Sequence, residues 1–333
     1  MKKYVFVNIK QDQLLDPQIG LFKDLIIQSR FDITFKHIYK VFNSKLINFC
    51  LRVIFSNKLK AVFKSLQKYF YNFDKVEFSD NQEVCFIIPS VCATKIDINY
   101  LKDLKKIHNN FKFVLLLLDS LHAHSYHLQY LKNKIFTDVW DMVLSFDKED
   151  AEEYKFQYLG YKYYSANNAI MPSNKDSDIY YIGALKGNRE ILIAKIFDFC
   201  KENNLNANIN VIYKKIQKIG NSNLQTTIVK RFYPEVISEI KSTNCILEVL
   251  QEGQKAQSIR YFEAVVYNKK LLSNNPNLKK LPFYDERYMK YFEKVDDIDW
   301  EWVAKKENID YKYNNEFSPI HMLEQIEKYF EGK

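Results

Sequence analysis

Residues 84–118 read VCFIIPSVCATKIDINYLKDLKKIHNNFKFVLLLL. Two continuous apolar runs, Val84 to Ile88 and Phe113 to Leu118, flank a longer mixed segment. A strand with one wet face alternates apolar and polar residues; these runs do not, so both faces are expected to be covered, as in a parallel sheet sandwiched by helices. Outward from this stretch, Tyr4 to Ile9, Met142 to Phe146 and Tyr161 to Tyr164 are further short apolar runs set among longer mixed segments, which predicts a layered α/β domain. A second alternation follows. It comprises a strand Ile179 to Ile182, a helix Glu190 to Glu202, a strand Asn208 to Tyr213, a helix near Tyr233 to Ser242, a strand Cys245 to Leu250, a helix Ser258 to Val266 and a strand Lys270 to Ser273, another βαβ series. The polar stretch 167–178, with Pro172, Ser173, Asn174 and Ser177, reads as a linker. The expected domains are therefore 1–172 and 173–317. Ser318-Pro319 then opens a terminal helix, 318–333, carrying Ile320, Leu323, Ile326 and Phe330, which is expected to return to the first domain.

Composition agrees with two packed cores. The chain has 333 residues, 47% hydrophobic and 16% aromatic, which excludes global disorder and a small disulfide-stapled scaffold. Cys50, Cys85, Cys92, Cys200 and Cys245 form no CxxC pair, which predicts reduced thiols in a cytoplasmic compartment and no zinc site. The start, MKKYVFVNIK, runs into a strand-like stretch without a signal h-region and is expected to be retained. The most apolar run, Phe113 to Leu118, is far shorter than the roughly 20 residues that span a bilayer, so any membrane contact is expected to be peripheral.

The formal charge is +8, from 49 Lys and Arg against 41 Asp and Glu. All of it resides in residues 33–73, where Lys36, Lys40, Lys45, Arg52, Lys58, Lys60, Lys64 and Lys68 meet no carboxylate; the remainder has 41 cations and 41 anions. Leu46, Phe49, Cys50 and Val53 repeat at helical spacing, as do Leu59, Val62, Phe63, Leu66 and Phe70, predicting two short amphipathic helices. Such helices either turn their apolar faces into the core or rest on anionic lipid, with Lys58, Lys60 and Lys64 as the membrane contacts. A nucleic-acid partner is not expected, because no RNP-like, zinc-finger or helix-turn-helix pattern accompanies the charge.

Three segments carry residues suited to chemistry. In YYIGALKGNRE a strand runs through a Gly-containing loop into a helix, so Gly183, Lys186 and Gly187 could cradle a phosphate, or form an ordinary strand-to-helix turn. In QEGQKAQSIRYFEAVVYNKKLLSNN, Arg260 and Glu263 share a helix face; they suit a diphosphate and ribose hydroxyls, or a simple intrahelical ion pair. In LLLLDSLHAHSYH, Asp119 lies at a strand's carboxyl end, where open α/β sheets place ligands, with His122, His124 and His127 following. Asp119, His122 or His124 could act as a general base, although Asp119 could equally cap a helix. No partner ligand at suitable spacing supports a metal.

Together with SFDKEDA at 145–151, these segments resemble bacterial glycosyltransferases of lipopolysaccharide and capsular polysaccharide biosynthesis clusters, of the two-domain GT-B type. The matching elements are Leu118-Asp119-Ser120; Ser145 to Ala151; the Gly-x-x-Lys-Gly loop ending at Gly187; and Gly253, Gln254, Arg260, Glu263, Lys269 to Leu272, Asn274 and Asn275. The chain departs from the family at Gln257-Ser258-Ile259, where Gly-Leu-Thr is common, and at Leu118, where an aromatic residue is common. The resemblance covers roughly residues 80–300. It implies two Rossmann-like domains with parallel sheets facing across a cleft, and transfer of a sugar from a nucleoside diphosphate sugar to a lipid-linked glycan at the inner face of the cytoplasmic membrane. It further implies no cofactor and no metal, donor binding by Gly183, Lys186, Gly187, Gln254, Arg260, Glu263, Asn274 and Asn275, and an acceptor held by the first domain near Asp119. A protein of the same fold that binds a sugar nucleotide or polysaccharide without catalysis is the alternative, followed by a basic nucleic-acid-binding α/β protein.

Overall fold

The structure, a computed structural model, describes residues 2–9, 13–40, 42–56, 59, 62–79, 81–121, 131, 133–184, 189–213, 215–228, 231–250 and 257–332. The chain divides into two compact units, Met1–Tyr163 with Pro319–Lys333, and Tyr164–Ser318.

In the first unit, β1 (Lys3–Asn8), β2 (Asp32–His37), β3 (Val84–Pro89), β4 (Phe111–Leu116), β5 (Met142–Ser145) and β6 (Gln157–Tyr158) form one sheet. The order is β2-β1-β3-β4-β5-β6 and every pair is parallel. The unbroken apolar runs become its centre: β3 is buried at every residue and β4 at all but Lys112. Phe86 packs on Phe113 and Phe111 at ring separations of 5.3 and 4.9 Å. Each such ring contributes about 1.5–3 kcal/mol by leaving water. The strand expected at 161–164 is not formed. Tyr163 and Tyr164 are buried in an irregular connection whose YKYY alternation imitates a strand, and the sixth strand lies just before it, closed by Leu159 N donating to Ser145 O at 2.8 Å.

Among the described residues, the helices of this unit include α1 (Asp24–Ile27), α2 (Lys45–Ile54), α3 (Lys64–Gln67), α4 (Ser90–Ala93), α5 (Ile98–Ile107) and α6 (Lys148–Tyr154). Short polar side chains start three of them. Ser44 accepts from Ile47 N, Asp97 from Asn99 N, and Asp147 from both Glu149 N and Asp150 N.

In the second unit, β7 (Ser177–Ala184), β8 (Ala207–Ile212), β9 (Thr226–Thr227), β10 (Thr243–Glu248), β11 (Lys270–Ser273) and β12 (Met289–Tyr291) lie in the order β12-β11-β10-β7-β8-β9, again all parallel. Counted from β7, this is the 3-2-1-4-5-6 winding of a Rossmann-like sheet, whose direction reverses between β7 and β10. The connections contain α7 (Arg189–Glu202), α8 (Tyr233–Ser242), α9 (Ile259–Val266) and α10 (Trp300–Ala304). Ile193, Ile196 and Cys200 of α7 share a core with Ile179, Leu247, Leu272, Trp302 and Val303. β10 starts and ends two residues before the expected 245–250, because Thr243 joins the sheet through its pairing with Ser177.

The polar stretch 167–178 is fastened to the second unit rather than spanning freely. Lys241 Nζ donates to the carbonyls of Asn167, Asn168 and Ile170 at 3.0, 3.3 and 2.7 Å, and Ser173 N donates to Ser238 O at 3.0 Å. The unit therefore begins at Tyr164, ahead of residue 172. The terminal helix α11 (Ile320–Glu331) belongs to the first unit, burying Met322, Leu323 and Ile326 and pairing Glu324 and Glu327 with Arg30. Among the described residues, no helix is long and apolar enough to cross a membrane.

Candidate functional site

The carboxyl end of β10, beside the reversal of the second sheet, gathers an unusual set of buried charges. Glu248 closes the strand and is 1% exposed. Ser258, the N-cap of α9, donates its hydroxyl to Glu248 Oε1 and accepts from Arg260 N at 3.1 Å; Ser273, at the end of β11, donates to Glu248 Oε2. One carboxylate thus ties two strand ends to the start of a helix. Burial pushes its pKa up, and the two hydroxyls pull it back only in part. Sequence reading missed Glu248, although a lone Glu inside the apolar run CILEVL was the available signal.

Arg260 and Glu263 lie one helical turn apart on α9 and form a buried ion pair through Arg260 Nη1 and Glu263 Oε2. The Glu263 side chain is fully buried, whereas Arg260 keeps 14% of its surface exposed. Tyr233 Oη stands 3.4 Å from Glu263 Oε1 and 3.1 Å from Tyr164 Oη, which is 3.3 Å from Tyr267 Oη; Asn167 N donates to that last hydroxyl at 3.0 Å. Each phenol has a single proton, so Tyr233 gives its own either to Glu263 or to Tyr164. Burial raises the pKa of Tyr164 and Tyr233 well above the usual phenol value, which keeps them as donors. Burial likewise pushes Glu263 up to about 7, against the pull of Arg260.

The consequence is a pre-set cation. Among the described residues only Glu263 hydrogen-bonds the Arg260 guanidinium, through one of its five N–H groups, and the partly exposed remainder sits at the amino end of α9. Guanidinium and helix end both favour an anion there. Glu263 is fully buried and its two carboxylate oxygens meet Arg260 and Tyr233, so in this arrangement it orients the arginine.

The other expected residues divide into those the structure brings to this sheet end and those elsewhere. Gly183 lies at the end of β7; a Cβ there would overlap the Tyr181 hydroxyl, so a larger residue would need that tyrosine to shift. Asn274 Oδ1 accepts from Leu250 N at 2.6 Å and extends the β10–β11 pairing. Asn275 is fully buried, with Oδ1 accepting from Asn277 N at 2.9 Å and Nδ2 without a partner among the described residues. Lys186, Gly187, Gln254, His122 and His124 lie outside the described residues, as do Lys58 and Lys60; Lys64 begins α3.

Asp119 belongs to the first unit. It follows β4, is about half exposed, and pairs with Lys162 Nζ at 3.9 Å. Burial lowers the pKa of Lys162, opposed by Asp119. The loop bearing Asp119 is pinned on both sides, by Leu118 N donating to Ser90 Oγ at 3.2 Å and Leu121 N donating to Asp150 Oδ2 at 2.7 Å. The SFDKEDA element therefore has a local structural role. Asp147 caps α6, and Asp150 on that helix holds the loop after β4. Also in this unit, an open groove of about 460 Å³ is lined by Val62, Lys68, Tyr71, Asp97, Tyr100 and Asp103 among others.

No protein-family model and no curated protein matches the chain.

Proposed function

We propose that the chain is a glycosyltransferase of the GT-B type, which moves a sugar from a nucleoside diphosphate sugar to a lipid-linked glycan. The observation that carries this reading is Arg260, held by a buried carboxylate at the amino end of α9, beside the reversal of a Rossmann-like sheet. In transfer, the sugar–oxygen bond to the diphosphate breaks and negative charge grows on the departing phosphate. A guanidinium already fixed in place stabilises that charge without reorganising. Glu263 acts as its positioning residue. The Nδ2 of Asn275, without a partner among the described residues, would be a further donor at the same sheet end. In the first unit, Asp119 would take the proton from the acceptor hydroxyl.

The test is a melting-temperature screen against UDP, GDP, dTDP and CMP compounds, since a ligand that binds only the folded state raises the transition. One nucleotide class is expected to stabilise the wild type, with the gain reduced in Arg260→Met. No stabilisation by any of them contradicts the proposal. Stabilisation without donor cleavage or transfer to any glycan acceptor favours the binding protein over the enzyme.

A further inference from the structure

Helix α2 presents its apolar stripe to the outside. Leu46 and Phe49 are 71% and 59% exposed, Cys50 is exposed and Val53 is half-buried; the helix buries Leu51 on the opposite side. Lys45, Phe49 and Arg52 follow each other at one-turn spacing along the outer face, so cations border the apolar stripe. The chain continues the pattern after the helix: Leu59, Val62, Leu66 and Tyr69 are exposed, Val62 to 72%, and Lys68 is exposed among them. Seven large apolar side chains between residues 46 and 69 thus face outward within a segment that has no carboxylate from 33 to 73.

We propose that this face docks on an anionic lipid surface. Its charge selects the occupant. A second copy of the face would lay cations against cations, with no carboxylate in the segment to meet them. A nucleic-acid backbone would satisfy the lysines but offers nothing to outward Leu46, Leu59, Val62 and Leu66, whereas a bilayer takes aliphatic side chains below the headgroups and cations among the phosphates. The groove lined by Lys68, Tyr71, Asp97, Tyr100 and Asp103 shares Val62 and Lys68 with the face and so adjoins it. The docking does not depend on the chemistry assigned to Arg260.

Vesicle co-sedimentation of the full chain tests it, with phosphatidylglycerol–phosphatidylcholine vesicles against phosphatidylcholine alone, without donor or acceptor. Binding to the anionic vesicles is expected to exceed binding to the neutral ones by about tenfold and to weaken with salt. Leu46→Glu/Phe49→Glu/Val62→Glu is expected to lose the binding while keeping the wild-type melting temperature, and Lys45→Glu/Arg52→Glu to reduce it by about tenfold. No vesicle binding by the wild type, equal binding to neutral vesicles, or undiminished binding by both variants overturns the proposal. So does concentration-dependent dimerisation, or oligonucleotide binding at physiological salt, that the triple variant removes in place of vesicle binding. Because both variants lie far in sequence from α9, nucleotide-dependent stabilisation is expected to be unchanged in them.

Discussion

Helices α2 and α9 carry the same kind of amphipathic pattern and face opposite ways. In α9, Tyr261 through Val265 are all buried, a charged Glu263 included; in α2, Leu51 is buried while Leu46 and Phe49 stand out. The difference follows from topology. α9 connects two inner strands, β10 and β11, and is covered on several sides, whereas α2 follows β2, an edge strand with little sheet to cover. Helical spacing shows which residues share a face. It does not show whether that face is the inside.

The contrast predicts a graded series of effects. Phe262→Ala should cost about 3–5 kcal/mol in urea unfolding, as a fully buried aromatic in a tight core does. Glu263→Ala should cost about 3 kcal/mol or more, because it leaves Arg260 buried without its counter-charge, and Glu263→Gln should recover part of that. Small losses for both Phe262→Ala and Glu263→Ala would mean that α9 is not buried as described. Arg260→Met should weaken binding of the stabilising nucleoside diphosphate by roughly ten- to a hundredfold in calorimetry, the range for a charge-assisted contact.

A pH dependence sharpens the same contrast. Glu263 titrates near 7 when folded and near 4.5 when unfolded, so the folded chain holds its proton more tightly. Its stabilising contribution is fully present below about 4.5 and declines as pH rises towards about 7. Glu248 acts in the same direction. Denaturation midpoints across that window should show the decline, and Glu263→Gln should flatten it. The smallest effect is expected on α2, where Phe49→Ala should alter unfolding free energy by less than about 0.5 kcal/mol; a loss comparable to that of Phe262→Ala would mean that the apolar stripe is packed.

Much of the architecture is legible in the chain because unbroken runs such as CFII and FVLL fit only strands covered on both faces. The strands that escape reading are those with little side-chain signal. β2, Asp32–His37, is an edge strand half-buried throughout, β6 and β9 are the pairs Gln157–Tyr158 and Thr226–Thr227, and β12, Met289–Tyr291, has no apolar run. Tyr161 to Tyr164 misleads in the other direction, since buried tyrosines in a connection can alternate like a strand. At the candidate site, the Arg260–Glu263 pairing follows from their one-turn spacing, but the depth of Glu263 does not. Its burial depends on Tyr164, Tyr233 and Tyr267, distant in sequence and brought together by the fold. Glu248 was hidden for the same reason, because its partners Ser258 and Ser273 come from two later elements.

Donor cleavage tests the glycosyl-transfer role of Arg260 most directly. The full chain is incubated with nucleoside diphosphate sugars in the absence of acceptor, and release of nucleoside diphosphate is followed for the wild type and Arg260→Met. Slow release from one donor class is expected, water standing in for the acceptor, with loss of that release in the variant while the fold stays intact. Release that is undiminished in Arg260→Met, or absent for every donor both alone and with glycan acceptors, would contradict it.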